Sequence, residues 1–234
     1  MSRCAILSLT PKESQKTHQI CQPSDRSLPV APLPALPATA LARGALELAH
    51  ESEQPAILNH SIRTFLYANL AADANLLDAP HDDLLFVAAV LHDIGTADRF
   101  DGPQRFEVEG ADAAASYLHA QGLDRRDVDR VWEAIALHTS PGIAERRGPL
   151  TRLIRLAVRT DFGHSGITPE LRQEIELLYP RLGIEIVLAD AVVAQALHRP
   201  ESERLEKAPP SSWPGGLLSA HLTNARNAAV DPTS

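Results

Sequence analysis

The chain has 234 residues, 44% of them hydrophobic and 4% aromatic, with a formal net charge of −8. That is enough for one sizeable core, and the abundance of Ala, Leu and Arg favours helices. The acidic balance, with no dense Lys/Arg cluster, excludes a nucleic-acid footprint, and no apolar run is long enough to cross a bilayer.

Residues 1–36 are rich in Pro, Ser, Thr and Gln and end in "PVAPLPALP", which reads as a disordered, polyproline-like leader. Its apolar stretch is too short for a secretory h-region. Both cysteines, Cys4 and Cys21, fall in this leader, away from any core, so cysteine usage points to the cytoplasm.

Helical patterning starts near Pro37 and continues through most of the chain. Residues 37–53 carry a Pro/Thr start and a run of helix formers. Residues 55–74 form a second helix, with Ile62, Phe65 and Leu66 at helical spacing. Residues 79–95 open on acidic capping residues and close on Gly95, a C-terminal stop. Residues 96–104 have turn chemistry and no period, which predicts a loop. Further helices follow at 106–122, 124–142 (stopped by Pro141), 148–163, 168–180 and 184–200. Beyond Lys207 the chain is polar and Pro/Gly-rich, with Trp213 as its one anchor. The expectation is a single all-α domain over residues 37–220, with a flexible tail over 221–234. A helical domain rich in Ala and Leu with exposed stripes is also expected to form a homo-oligomer.

Several polar residues occupy positions where a core residue is expected. His92 and Asp93 end the apolar run "LLFVAAVL", and polar groups carried inside without partners cost about 2–7 kcal/mol each. The stripe Leu150, Leu153, Ile154, Ala157, Val158 continues onto Asp161, and Val131, Ala134, Ile135 continues onto His138. His60 lies one turn from Ala56, Ile57, Arg63 and Thr64. Each has an ordinary structural reading, as a core histidine bonded to a carbonyl or an Asp paired with Arg155 or Arg159. Together, His60, His92-Asp93 and Asp161 place two imidazoles and two carboxylates on three helices. That is a mixed N/O donor set suited to a divalent ion, which would keep buried carboxylates ionised.

The order His … His-Asp … Asp resembles the HD-domain metalloprotein superfamily, with His60, His92-Asp93 and Asp161 in the metal-ligand places. The words "LNHSIRTF", "VAAVLHDIGT", "RFEVEGADAAASYL", "AIALHTSPGIA" and "RTDFGHSGI" resemble its cyanamide hydratase-like branch. The resemblance implies a helical bundle with a metal site in its core and hydration of a small nitrile to urea or an amide. It implies one divalent ion, zinc, with iron or manganese as alternatives, and a small-molecule substrate.

Two departures sharpen this reading. HD phosphohydrolases often carry a Lys shortly after the doublet, whereas here "IGTADRF" has none. Binuclear HD proteins, including di-iron oxygenases, add two His ligands; here His138 stands at one place, and the other offers only Glu107, Glu109 or Asp112. A single ion is therefore expected, with Asp93 and His138 catalytic and Asn59 and Thr96 binding substrate. His164 and Arg63 are expected to support the ligands from behind. The loop 96–106 and the tail around Trp213 are expected to cover the site. A phosphohydrolase acting on a nucleotide or other phosphate ester is the first alternative, and an HD-type di-iron oxygenase is the second.

Overall fold

The computed structural model describes residues 33–75, 82–164 and 166–230. The cysteines, most of the leader and the first residues of the expected third helix lie outside this set. Among the described residues there are ten α-helices and no strand, so the chain is all-α.

Helix α1 (Ala40–Ser52) starts on Thr39, whose hydroxyl accepts from the Ala42 amide at 3.1 Å, supplying one of the bonds that a helix N-terminus lacks. Helix α2 (Pro55–Asn75) and the short α3 (Asp82–Val90) follow. Apolar around its whole circumference, α3 can only be stable when enclosed. It packs against α1 and α2, and against α5 (Arg125–Leu137) and α6 (Pro149–Asp161). Residues Leu84 through Leu91 are at most 3% exposed. Burying each of Leu85, Phe86 and Leu91 contributes roughly 1.5–3 kcal/mol, so α3 is the axis of the core.

Helix α4 (Phe106–Ala120) pairs with α5, whose first turn is capped by Asp124. Helices α7 (Pro169–Leu178), α8 (Ile184–Leu197), α9 (Arg204–Lys207) and α10 (Trp213–Val230) complete the chain. A second apolar cluster joins Ala56 and Ile57 of α2 to Phe106 and to Ile184, Leu188 and Val192 of α8.

Three expectations are corrected. The expected boundary at 220/221 is not a break in structure, because α10 runs across it to Val230 and the described part of the expected tail is helical. In α10, Leu218 packs with Val193, Ala196 and Ala208, and this apolar contact outweighs the Pro/Gly signal, which marks only the helix start. Gly95 is not the helix stop either. The α-helix ends at Val90, and Leu91–Asp93 form turns that lead into a 3-10 turn at Ile94–Thr96. Gly95 serves close packing instead: a Cβ there would lie 2.0 Å from the Phe106 carbonyl oxygen and 2.6 Å from the Gly110 amide. Finally, the segment after Thr96 is not wholly irregular, since it contains a second 3-10 turn at Asp98–Phe100.

Candidate metal centre

Two histidines reach the site by the same local device. His92 lies just past α3 and His138 just past α5, where the last carbonyls of a helix have no backbone partner. His92 Nδ1 donates to the Ala89 carbonyl and His138 Nδ1 to the Ile135 carbonyl, each at 2.7 Å and each three residues back. A histidine can satisfy such carbonyls, and this bond fixes the tautomer, leaving Nε2 as a bare acceptor. His60, inside α2, achieves the same with a different partner: its Nδ1 donates to Asp161 Oδ2 at 2.7 Å. A ring nitrogen held by a carboxylate in this way makes its opposite nitrogen a better metal ligand.

The three free nitrogens converge on Asp93. His60 Nε2 and His92 Nε2 are 3.2 Å apart, and Asp93 Oδ2 lies 3.6 Å from the first and 3.2 Å from the second. The other carboxylate oxygen, Oδ1, is 3.4 Å from His138 Nε2. All four side chains are at most 2% exposed, and neither Asp93 oxygen has a hydrogen-bond partner. Three acceptors facing one another in a dry core repel unless a cation lies among them. Their separations match the edges of a ligand shell with bonds of about 2.1 Å, which are about 3.4 Å for a tetrahedron. The residues therefore fit a divalent ion held by His60, His92 and Asp93, with His138 at the adjoining corner. Among the described residues, this is the one group of three such side chains with mutually close ligand atoms.

The electrostatics follow from burial and neighbours. Burial opposes charge on His60 and pulls its pKa down despite Asp161. Burial also opposes charge on His92, but Asp93 and the Ala89 carbonyl outweigh it and raise the pKa. Asp93 resists its own desolvation because His92 and His138 hold it well below the usual carboxylate range.

Asp161, expected among the ligands, sits one bond further out, behind His60. Arg63 clamps it in bidentate fashion, Nε to Oδ1 at 2.7 Å and Nη2 to Oδ2 at 2.8 Å. Arg63 is fully buried, and its spacing of three from His60 puts both on one face of α2 against α6. Arg181 adds bonds to the Asp161 carbonyl at 2.9 Å and to Oδ1 at 3.3 Å. Burial works against ionising Asp161, but Arg63 and His60 hold its carboxyl far below its ordinary value. Its partners are thus Arg63 and Arg181, not the sequence-near Arg155 or Arg159.

The expected substrate contacts are corrected. Asn59 donates to the Pro180 carbonyl at 2.9 Å, and Thr96 donates to the Asp93 carbonyl at 2.7 Å. Neither lines the cavity at the cluster, because Asn59 faces the α7–α8 connection and Thr96 braces the backbone of the turn. That cavity, of about 970 Å³, opens from His60, Asp93 and His138 and is walled by Phe162, Arg159 and Trp213 among others. His164 stands on its rim, its Nδ1 bonded to the Arg159 carbonyl at 3.0 Å, and does not touch the ligands. Loop residues Asp98–Gly102 face a separate depression, so of the expected covering segments Trp213 and Arg105 border the site.

The carboxylates considered for a second ion are engaged elsewhere. Glu107 pairs with Arg105 and Thr139, Glu109 accepts from the Gln104 amide, and Asp112 accepts from Trp132. One acidic residue had no sequence signal. Glu53, at the end of α1, is 8% exposed with both carboxylate oxygens buried and unpartnered. Burial, and then the charge of Asp93, push its pKa well above the usual value. The polar run "HESEQP" gives no hint of this, because the helices packed around it do the burying.

A model of the HD domain matches residues 57–195, more than half of the chain. The chain belongs to the HD-domain family. HD domains bind divalent metals, and the family is one of metal-dependent, generally hydrolytic enzymes, which agrees with the cluster of His60 on α2 with His92 and Asp93 in the turn after α3. No curated protein matches this HD-domain chain. Among its described residues no helix is long and apolar enough to cross a membrane.

Proposed function

We propose that this HD domain adds water to the carbon–nitrogen triple bond of cyanamide or a similarly small nitrile, giving urea or the amide. The observation that carries this reading is the divided role of the Asp93 carboxylate. One oxygen faces the His60 and His92 lone pairs, and the other faces His138. A divalent ion, zinc by our reading, would supply acidified water and polarisation of the nitrile. The protein's own groups then move protons. Asp93 Oδ1 takes a proton from the attacking water as the carbon–oxygen bond forms and one carbon–nitrogen π bond breaks. Asp93 passes this proton to His138 Nε2, 3.4 Å away, which delivers it to the nitrogen and returns to its starting tautomer. The product then tautomerises to the amide with no net change in protons. Arg155 donates to the His138 carbonyl at 3.0 Å and so holds this acid in place.

The charge around the cluster supports a neutral reacting group. The one lysine among the described residues, Lys207, is committed to Asp101 and the Gly102 carbonyl. On the cavity wall Arg105 is paired with Glu107, and Arg155 with Glu145. A phosphohydrolase is the second reading, favoured by Arg159, which has no side-chain partner among the described residues. A di-iron oxygenase draws no support from the positions of Glu107, Glu109 and Asp112. Self-association is part of the same proposal: Leu177, Leu178, Leu182 and Ile186 are each more than half exposed where α7 meets α8.

The test pairs metal analysis with product assays. About one equivalent of metal and metal-dependent urea from cyanamide are expected, while phosphate release from nucleotides without urea would overturn the nitrile reading. His138→Ala should keep the ion and lower kcat by ~10²–10⁴-fold, the usual contribution of a general acid. Loss of the ion in that variant would make His138 a ligand instead.

A further inference from the structure

The cavity is far larger than cyanamide requires. Three heavy atoms, at on the order of 30 Å³ each, fill about a tenth of its 970 Å³. That volume lies at the top of the range for pockets that take whole organic ligands, roughly 300–1,000 Å³. The remaining space has a definite chemistry.

One wall is a single stripe of α6. Arg155, Val158, Arg159 and Phe162 are spaced so that they share a helix face, one step round from the core stripe that ends in Asp161. At its inner end the Phe162 ring packs on His60, with centroids 5.0 Å apart. Trp213 also lines the cavity, and its ring meets Phe106 at 6.1 Å. Trp213 is 39% exposed on the lining of this open cleft, so its indole is available to a ligand. Along the stripe Arg155 is held by Glu145 and the His138 carbonyl. Arg159, half-buried, has no side-chain partner among the described residues. It lies three residues from Phe162, which places their Cβ atoms about 5–6 Å apart. His164 stands beside it on the rim.

A half-buried guanidinium without a counter-charge is a costly thing to hold at a cavity wall. Its planar fork matches a carboxylate. From this we infer that the substrate is a nitrile carrying an anionic group, a carboxylate, on a flat apolar body. The nitrile lies at the cluster, the body lies between Trp213 and Phe162, and the carboxylate is received by Arg159. This rests on the reading that the reaction takes place at His60, His92, Asp93 and His138, but concerns a different part of the cavity.

The probe is 4-cyanobenzoate, with benzonitrile as its neutral counterpart, titrated calorimetrically into the metal-loaded protein. The expected result is that 4-cyanobenzoate binds about tenfold more tightly, the lower end for a hydrogen bond to a charged group. Arg159→Gln should abolish that preference and Arg159→Lys should retain part of it, both with unchanged affinity for benzonitrile and unchanged Tm. Equal affinities in the wild type, or a preference that survives Arg159→Gln, would overturn the inference. Turnover is read separately as formation of 4-carbamoylbenzoate. Charge-dependent binding through Arg159 without any amide product would uphold Arg159 as the receiver of a carboxylate and sink the nitrile chemistry. Release of phenol from phenyl phosphate would sink the nitrile chemistry in the same way, with the Arg159 binding series still deciding the inference.

Discussion

Gly95→Ala places one methyl group against two backbones. The new Cβ would lie 2.0 Å from the Phe106 carbonyl oxygen, where ordinary contact begins at 3.4 Å, so the oxygen is 1.4 Å too close. The Gly110 amide, at 2.6 Å, blocks retreat along α4. Neither obstacle is the end of a flexible side chain, so α4 must separate from the turn that carries His92 and Asp93. Overpacking costs typically 1–3 kcal/mol, and with backbone on both sides the upper end, about 3 kcal/mol, is expected. For a chain of this length that lowers Tm by about 6–12 °C. The assay is thermal unfolding followed by circular dichroism, beside Gly216→Ala as control. Gly216 lies in α10 with nothing within 4 Å of its added Cβ, so alanine there should be neutral or stabilise by up to about 1 kcal/mol. A fall of less than 2 °C for Gly95→Ala, or equal effects at the two sites, would refute the close-packing account.

Arg63→Leu leaves the buried Asp161 carboxylate with only His60 and the partly exposed Arg181; a loss of about 3–5 kcal/mol is expected in urea unfolding, and a loss below 1 kcal/mol would show that Arg181 suffices. Glu53 has its folded pKa raised above the ordinary 4.5. Below that value it is neutral folded and unfolded alike; above it the unfolded chain releases the proton first, so stability falls as pH rises towards the folded pKa. Glu53→Gln should therefore raise Tm at pH 8 and change it little at pH 4, and a gain at pH 4 alone would contradict the assignment. Chelation should destabilise the metal-loaded protein: an ion at 100 times its Kd contributes about 2.7 kcal/mol, and His92→Ala should remove that response, whereas a chelator-sensitive Tm in the variant would place the ion elsewhere.

The helices were legible in the sequence because their apolar stripes and capping residues are local. Thr39, Asp124 and Thr168 each stand at the N-cap that their type predicts. The helix ends were less legible. Gly95 has the identity of a stop residue, but its purpose is contact with Gly110, fifteen positions away, which no local window contains. Helix α10 was hidden by its own start, Pro-Gly-Gly after Trp213, and is held by apolar contacts to α8. In the site, the polar interruptions of apolar stripes marked His60, His92, Asp93, His138 and Asp161 correctly as buried. Their order along the chain says nothing of their order in space. That Asp161 meets His60 through Nδ1, outside the converging Nε2 atoms, depends on Arg63 and Arg181 drawing it away. The burial of Glu53 and the open side of Trp213 are likewise products of packing between distant segments.

The wall formed by Trp213 also sets an order of events during synthesis. His60, His92, Asp93 and His138 all precede it, the last by 75 positions. A ribosome adding roughly 5–20 residues per second makes Trp213 about 4–15 s after His138. The donor atoms are thus all made before the far side of their chamber exists. During that interval an ion can approach from open water on that side; once Trp213 seats against Phe106, the approach is narrowed to the open part of the cleft. Which ion the finished protein carries would then reflect what surrounds the growing chain as much as the affinities of the completed site.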